Sequence, residues 1–272
     1  MVETLLEAKG IEVAYGPARR ATRVLHSVDF RIGRGEMVGV VGESGSGKTT
    51  LGRALLRLTP LSAGSIRFDG KEIAHLGLKQ MRPLRRRMQM IFQDPMASLN
   101  PRHTIRAILT APLFLHGVAA DARAAEARVR ETLGLVGVPA TALERYPHEL
   151  SGGQRQRVGI ARAALLKPDF VVADEIVSGL DASTQAQALR LLKDLSREMG
   201  LAMAFISHDL SVIRAVCDRV YVMRLGEVVE EGLCEAVFAA PQSPYTRLLI
   251  DAIPLPVVDP SWLDADLTKE LT

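Results

Sequence analysis

Lys48 and Thr49 stand at the end of a run of small residues, Gly42-Glu43-Ser44-Gly45-Ser46-Gly47, and Thr50 follows them. The spacing GxxxxGK(S/T) suits the holding of a polyphosphate. Glycines let successive backbone N–H groups curl around phosphate oxygens, and the start of a following helix adds roughly half a positive charge. A lysine at this position reaches the outer phosphates, and the Thr49 hydroxyl offers a hard oxygen to Mg²⁺. A glycine-rich turn can precede lysine by chance. Here the apolar run Val38–Val41 enters it, and Leu51, Leu55 and Leu58 recur at helical spacing after it, which is the strand-loop-helix context the chemistry needs.

A second pair of reactive side chains closes another apolar run, where Phe170-Val171-Val172-Ala173 passes directly into Asp174 and Glu175. Adjacent strand residues point to opposite faces, so the two carboxylates can take different tasks. Asp174 is assigned to Mg²⁺ and Glu175 to the attacking water, because phosphoryl transfer asks the protein mainly to position groups and stabilise charge. A lone Asp-Glu pair is ordinarily a solvated turn. The phosphate loop upstream gives this one its chemical meaning.

The elements that must carry these residues alternate in type. Short β-like runs cover Leu5–Tyr15, Val24–Ile32, Met37–Val41, Ser65–Asp69 and Met88–Phe92, and a helix is predicted over Lys48–Leu58. From Gln93 to about Lys167 no alternation of period two appears, and the stripe Ala125, Val129, Leu133, Val136 predicts a helical insert. Strands at Phe170–Ala173, Leu201–Ile206, Arg219–Met223 and Glu227–Glu231 follow, with a helix bearing Ala188, Leu191, Leu192, Leu195 and Met199 among them. The pattern predicts an α/β chain whose mainly parallel sheet is flanked by helices. Past Pro254 the Pro- and Asp-rich sequence reads as a loose tail.

Bulk properties narrow the setting. With 272 residues, 47% hydrophobic and 24% charged, the chain can bury one substantial core. Its 34 Lys and Arg against 31 Asp and Glu leave a net charge of +3, too little for a polyanion-binding surface, so no nucleic acid partner is expected. The basic run Arg82–Arg87 is read as a solvated face. Cys217 and Cys234 form no CxxC and have no histidine at metal-ligand spacing, so neither a disulfide nor a zinc site is indicated and a reducing cytoplasm fits. No secretory leader is visible at the N-terminus. The apolar stretch Ala107–Ala120 is broken by Thr110, Pro112 and His116, whereas a spanning helix needs about 20 mostly apolar residues. Other chains must cross the membrane if this one works there.

Leu150-Ser151-Gly152-Gly153-Gln154, continued by RQRVGIARA, resembles the signature of ABC ATPases. The pentapeptide is far more specific than a phosphate loop, and the resemblance runs from about Leu6 to Pro256. It implies a P-loop NTPase fold with an antiparallel β subdomain and an inserted α-helical subdomain. One ATPase domain would occupy 1–256, with a core lobe of 1–92 and 168–240, a helical subdomain of 93–167 and a C-terminal helical segment of 241–256, before a tail at 257–272. It also implies ATP with Mg²⁺ between two subunits packed head to tail, Ser151, Gly152, Gly153 and Gln154 of one facing Gly42–Thr49 of the other. Tyr15 matches the aromatic that stacks on adenine, although an aromatic on an early strand is ordinarily core. Gln93 matches the glutamine that senses metal and water, and His208 in Phe205-Ile206-Ser207-His208-Asp209 matches the histidine that contacts the γ-phosphate. Ser178-Gly179-Leu180-Asp181 resembles the loop at the dimer seam.

Four further stretches, GESGSGKTTLGRALLRL, RRRMQMIFQDPMASLNPR, RYPHELSGGQRQR and SPYTRLLIDAIPLP, look like the oligopeptide/dipeptide/nickel importer ATPases, in particular the second of their two ATPase types. The implied partners are a second ATPase subunit, two integral-membrane permeases and, indirectly, a periplasmic or lipoprotein substrate-binding protein. The place of work would be the cytoplasmic face of the inner membrane, with the loop from Gln93 through Arg102 as the transmission surface. Two departures stand out. Where most relatives read DEPTSALD, this chain has Asp174-Glu175-Ile176-Val177-Ser178-Gly179-Leu180-Asp181, which is expected to loosen the backbone behind Glu175. The cysteine-bearing extension of many relatives is missing, so no iron–sulfur cluster is expected. A soluble ABC ATPase acting on ribosomes or DNA is the competing class, but it usually carries two cassettes or long heptad coils, and this sequence shows one phosphate loop and no heptads. A nonhydrolysing regulator is disfavoured by Lys48, Glu175 and His208.

Overall fold

The computed structural model describes residues 3–17 and 20–252. Strands β1 (Thr4–Tyr15), β2 (Thr22–Gly33), β4 (Ala63–Phe68) and β5 (Lys71–Glu72) form an antiparallel sheet of order β2-β1-β4-β5. The second sheet has the order β10-β9-β3-β8-β7-β6, built from β3 (Met37–Val41), β6 (Met88–Ile91), β7 (Phe170–Asp174), β8 (Ala202–Ile206), β9 (Arg219–Arg224) and β10 (Glu227–Leu233). It is parallel throughout except for the β9–β10 hairpin. Every residue of β3, β7 and β8 is buried, which is why these strands read as unbroken apolar runs rather than alternating ones.

The alternation is instead between two cores. Val38, Val40, Phe170, Val172, Ala202, Ala204 and Ile206 join the cluster that includes the antiparallel sheet and helix α1 (Lys48–Leu55). Met37, Val41, Val171, Ala173, Met203 and Phe205 face the other way, into the cluster that includes the helical segment. That segment holds α3 (Pro95–Ser98), α4 (Ile105–Leu115), α5 (Ala122–Leu135) and α6 (Gly152–Ala164), with no strand between Ile91 and Phe170. The apolar stretch singled out for its length is α4 and the turn after it, and among the described residues no helix is long and apolar enough to cross a membrane. Helices α7 (Ala182–Met199) and α8 (Leu210–Val216) complete the α/β alternation, and α9 (Cys234–Ala239) and α10 (Pro244–Asp251) follow the sheet. The expected tail at 257–272 lies outside the described residues.

Three expectations are corrected locally. The helix after the phosphate loop stops at Leu55 rather than Leu58, because Arg57 takes a left-handed φ of +54° and Leu58 turns out to solvent. The next strand starts at Ala63 and ends before Asp69, whose φ of +53° opens the turn to β5. The basic run is not simply a solvated face. It closes helix α2 (Leu78–Arg87), where Arg85 donates to the carbonyls of Leu56 and Arg57, while Arg87 pairs with Asp69 and Asp169 and lies 4.9 Å from the Phe68 ring centroid.

Helix α1 lies flat on the sheet because position 52 has no side chain. A Cβ there would come within 2.8 Å of both Val172 and Ile206. Gly52→Val is therefore expected to lift α1 and lower stability by roughly 1–3 kcal/mol. Urea unfolding at a constant slope checks it, and a midpoint at the wild-type value would contradict the close approach.

Candidate active site

Strands β3, β6, β7 and β8 run parallel, so the loops that leave their C-terminal ends share one edge of the sheet. From β3 comes the glycine loop. Gly42 (φ +148°), Gly45 (φ +82°) and Gly47 (φ +101°) use backbone space that other residues rarely enter, and a Cβ on Gly42 would stand 2.2 Å from the Met223 carbonyl oxygen. Gly47 caps α1 without a side chain, leaving the first N–H groups of the helix without intrahelical partners. The Lys48 ammonium, buried beneath, donates to the carbonyls of Gly42 and Glu43, at 2.8 Å each. No carboxylate lies within ion-pair distance of it among the described residues, and the Ser46 hydroxyl is buried without a hydrogen-bond partner. Burial pushes Lys48 below the usual lysine range, and the charges of Glu175, Asp174 and Glu43 offset this only in part. A buried ammonium beneath a curl of backbone N–H groups suits an anion.

Beside the loop, Thr49 Oγ1 and Asp174 Oδ1 are 3.0 Å apart. Asp174 is only 3% exposed. Burial lifts its carboxyl above the ordinary aspartate range, against the Thr49 hydrogen bond, and the Glu175 charge adds to the rise. No group of three His, Cys, Asp or Glu that could hold a metal alone occurs among the described residues. A hydroxyl and a carboxylate side by side do fit Mg²⁺, which takes one or two protein oxygens and completes its shell with water and substrate phosphate.

Glu175 leaves β7 at φ +47°, a strained value for a glutamate, and its N–H is held by the Ile206 carbonyl at 3.0 Å. The strain turns the side chain to a meeting of three loops. Gln93 Nε2, just past β6, donates to Glu175 Oε2 at 2.8 Å, and His208 Nδ1, just past β8, lies 3.5 Å from Glu175 Oε1. A small cavity of about 120 Å³ opens beside Glu175, Ser178 and His208, room for ordered water. Ile176 and Val177 are buried in the core, whereas Gly179 takes φ +75° in open space.

The chain thus gathers Lys48, Thr49, Asp174, Glu175, Gln93 and His208. It does not gather Ser151–Gln154. Ser151 is exposed at the N-cap of α6, where Ser151 Oγ accepts from Gln154 N at 3.3 Å and Gln154 Oε1 accepts from Ser151 N at 3.1 Å. No hydrogen bond of this turn reaches Gly42–Thr49 among the described residues. Tyr15, at the end of β1, is 44% exposed and is not a core residue.

Two residues that local patterns did not single out also touch the site. Buried Gln156 on α6 donates to the Ile176 carbonyl at 2.5 Å, joining the signature helix to the segment behind Glu175. Tyr245 on α10 accepts from the N–H of Glu43 at 3.2 Å. The first could be suspected as a polar residue on the inner face of α6, while nothing near Tyr245 in sequence points to residue 43. A cleft of about 990 Å³ runs outward from Thr49, Gln93 and Asp174 to Leu58, Pro112 and Leu115, between the sheet and the helical segment.

A phosphate cradle after β3, a metal-ready pair joining α1 to the end of β7 and a carboxylate held by residues following β6 and β8 define a P-loop nucleotide hydrolase. Comparison with known proteins agrees. Residues 25–178 match the ABC transporter family, and the chain belongs to that family as an ATP-binding, ATP-hydrolysing subunit. It is 53% identical to a peptide import ATP-binding protein of Brucella ovis over 95% of this chain and 82% of that one. It is 44% identical to the oligopeptide transport ATP-binding protein AmiF of Streptococcus pneumoniae over 99% and 91% of the two chains. In structure it resembles the ATP-binding cassette MJ0796, a dimer in a post-hydrolysis state with ADP and Pi, with TM-score 0.78 and 28% identity over 85% of this chain and 99% of that one. The expected α/β P-loop fold is borne out.

Since Asp174 carries its charge at the expense of hydration, Asp174→Asn is expected to raise the melting temperature of the nucleotide-free chain at neutral pH by a few degrees, while Mg²⁺-dependent hydrolysis falls by at least about 100-fold. Thermal unfolding and phosphate release are the two measurements. A lower melting temperature would mean that Lys48 and Arg53 more than compensate for burial.

Proposed function

We propose that this chain is the motor of a peptide-class importer, working on the cytoplasmic face of the plasma membrane with a second ATPase subunit and two separate permeases. Substrate-binding protein outside the membrane would deliver the cargo. The convergence of Gln93, His208 and a strained Glu175 beside Thr49 and Asp174 is the observation that carries the reading. Peptide import comes from the relatives' names rather than from any cargo site in the chain.

In this reading Gly42–Gly47, Lys48, Thr49 and Thr50 hold the phosphates of ATP, and Tyr15, half exposed at its strand end, receives the adenine face. Thr49, Asp174 and Gln93 would hold Mg²⁺, which when bound neutralises charge on the transferring phosphoryl group. Glu175 takes the proton of the attacking water, Gln93 keeps that carboxylate aimed, and His208 donates to a γ-phosphate oxygen. Ser151–Gln154 would act on the nucleotide of the partner subunit, a role supported by the exposed position of Ser151 at the start of α6. The division into core lobe, helical subdomain and C-terminal segment belongs to the same reading. A permease helix in the outer cleft would press on the loop that bears Gln93 and Asp94, coupling transport to Glu175 through one side chain.

Glu175→Gln is expected to bind ATP with unchanged affinity, to lose at least about 100-fold in turnover, and to elute as an ATP-dependent dimer. Adding Ser151→Phe should return the species to monomer while ATP still binds. Undiminished hydrolysis in the first variant, or an ATP dimer that ignores the second, would refute the assignment.

A further inference from the structure

Tyr245 lies 202 positions along the chain from the glycine loop, yet its hydroxyl accepts the Glu43 N–H at 3.2 Å. That N–H belongs to the same peptide unit as the Gly42 carbonyl, which accepts from the Lys48 ammonium at 2.8 Å. A trans peptide is planar, with its C=O and N–H on opposite edges, so the unit is gripped from both sides. Gly42 makes such a grip necessary. Its φ of +148° is open only to glycine, and the Met223 carbonyl excludes any side chain that could stiffen it, so hydrogen bonds are what set the orientation.

The tyrosine is itself braced. Its ring is 7% exposed, and the Arg224 guanidinium carbon stands 5.0 Å from the ring centroid. Glu230 on β10 accepts from the backbone N–H groups of Gln242 (2.8 Å) and Ser243 (3.0 Å), fixing the start of α10, and Pro244 occupies the first helical position. One residue beyond Leu225, Gly226 donates to the Ser46 carbonyl at 3.0 Å. The β9–β10 turn and α10 therefore support the loop from behind at two successive points.

We propose that Tyr245 is a positioning residue for nucleotide binding: the C-terminal helix holds the Gly42–Glu43 peptide, and through it the resting place of Lys48, in the form that accepts phosphate. The proposal rests on the reading of Gly42–Thr49 as the phosphate loop. Lys48 must exchange carbonyl oxygens for phosphate oxygens when nucleotide enters, and at that moment the tyrosine hydroxyl is what keeps the peptide from turning. Anything that displaces α10 would loosen nucleotide without touching the catalytic carboxylate.

The full chain is titrated with ATP and with ADP, and steady-state hydrolysis is measured beside it, for the wild type, Tyr245→Phe, Tyr245→Leu and Lys48→Ala. Tyr245→Phe keeps the ring over Arg224 and removes one hydrogen bond, so both nucleotides should bind about threefold to tenfold more weakly. KM should rise by the same factor with kcat within about twofold, since the interaction is equal in ground and transition states. Tyr245→Leu should weaken binding at least as much. A merely structural tyrosine would lower the melting temperature and leave Kd and KM at wild-type values, and that result overturns the proposal, as does a fall in kcat with KM unchanged. If Lys48→Ala abolishes binding while Tyr245→Phe leaves it intact, the inference alone fails. If Lys48→Ala leaves binding intact, the phosphate-loop reading fails and takes the inference with it.

Discussion

Neighbouring parallel strands lie about 5 Å apart, and this spacing is what allows four loops far apart in sequence to serve one reaction. Val40 of β3 pairs with Ile206 of β8, Asp174 of β7 pairs with the same Ile206, and Ala173 pairs with Ile91 of β6. Gly42, Glu175, His208 and Gln93 each follow within two residues of those positions. A one-residue slip of any strand would turn its reactive side chain to the opposite face, so the core packing on both faces of the sheet is also the device that keeps the site in register. Gly39 and Gly52 serve this end, the first letting Ile213 of α8 pack against β3 and the second letting α1 lie against β7 and β8.

The site buries two ionisable groups of opposite type, Lys48 and Asp174. Burial shifts both Lys48 and Asp174, the lysine downward and the aspartate upward. They do not resolve the conflict by pairing, because Lys48 is tied to two carbonyls and Asp174 to the Thr49 hydroxyl. An anionic polyphosphate next to the lysine and a divalent cation next to the aspartate would favour the charged form of both at once. The cost of burying the two groups is thus a reserve that nucleotide and metal would draw down. The strained backbone of Glu175 is a second such reserve, held by one main-chain bond and two side chains.

Legibility in the sequence followed how local each feature is. Met37–Val41 was readable to the residue because a fully buried strand is an unbroken apolar run closed by glycine. The end of α1 was not, since Leu58 keeps the helical spacing although the chain has already turned at Arg57. Helix α2 escaped because Met81 is its one fully buried residue, and an arginine run carries no apolar stripe to betray its period. Lys48, Thr49, Asp174 and Glu175 announce themselves within short motifs, whereas Gln93 and His208 gained meaning only through family resemblance. The Tyr245–Glu43 and Gln156–Ile176 bonds depend on tertiary placement, and no spacing rule reaches them.

The turn at Ser151 shows what a second subunit would add in the proposed dimer. It is a second anion-seeking helix start, exposed at the surface, and its hydroxyl caps its own helix. A phosphate can displace that weak cap bond, and no hydrogen bond of the turn reaches this chain's own glycine loop among the described residues, so in the proposed dimer the phosphate arrives on the partner subunit. From the turn, α6 carries Gln156 to the carbonyl of Ile176, the residue after Glu175. A ligand seated across the proposed subunit boundary would thereby be felt, within two turns of helix, at the backbone behind this chain's own Glu175. In the proposed dimer each subunit's hydrolysis would then depend on the neighbour's nucleotide as well as its own, a physical basis for two sites acting as a unit.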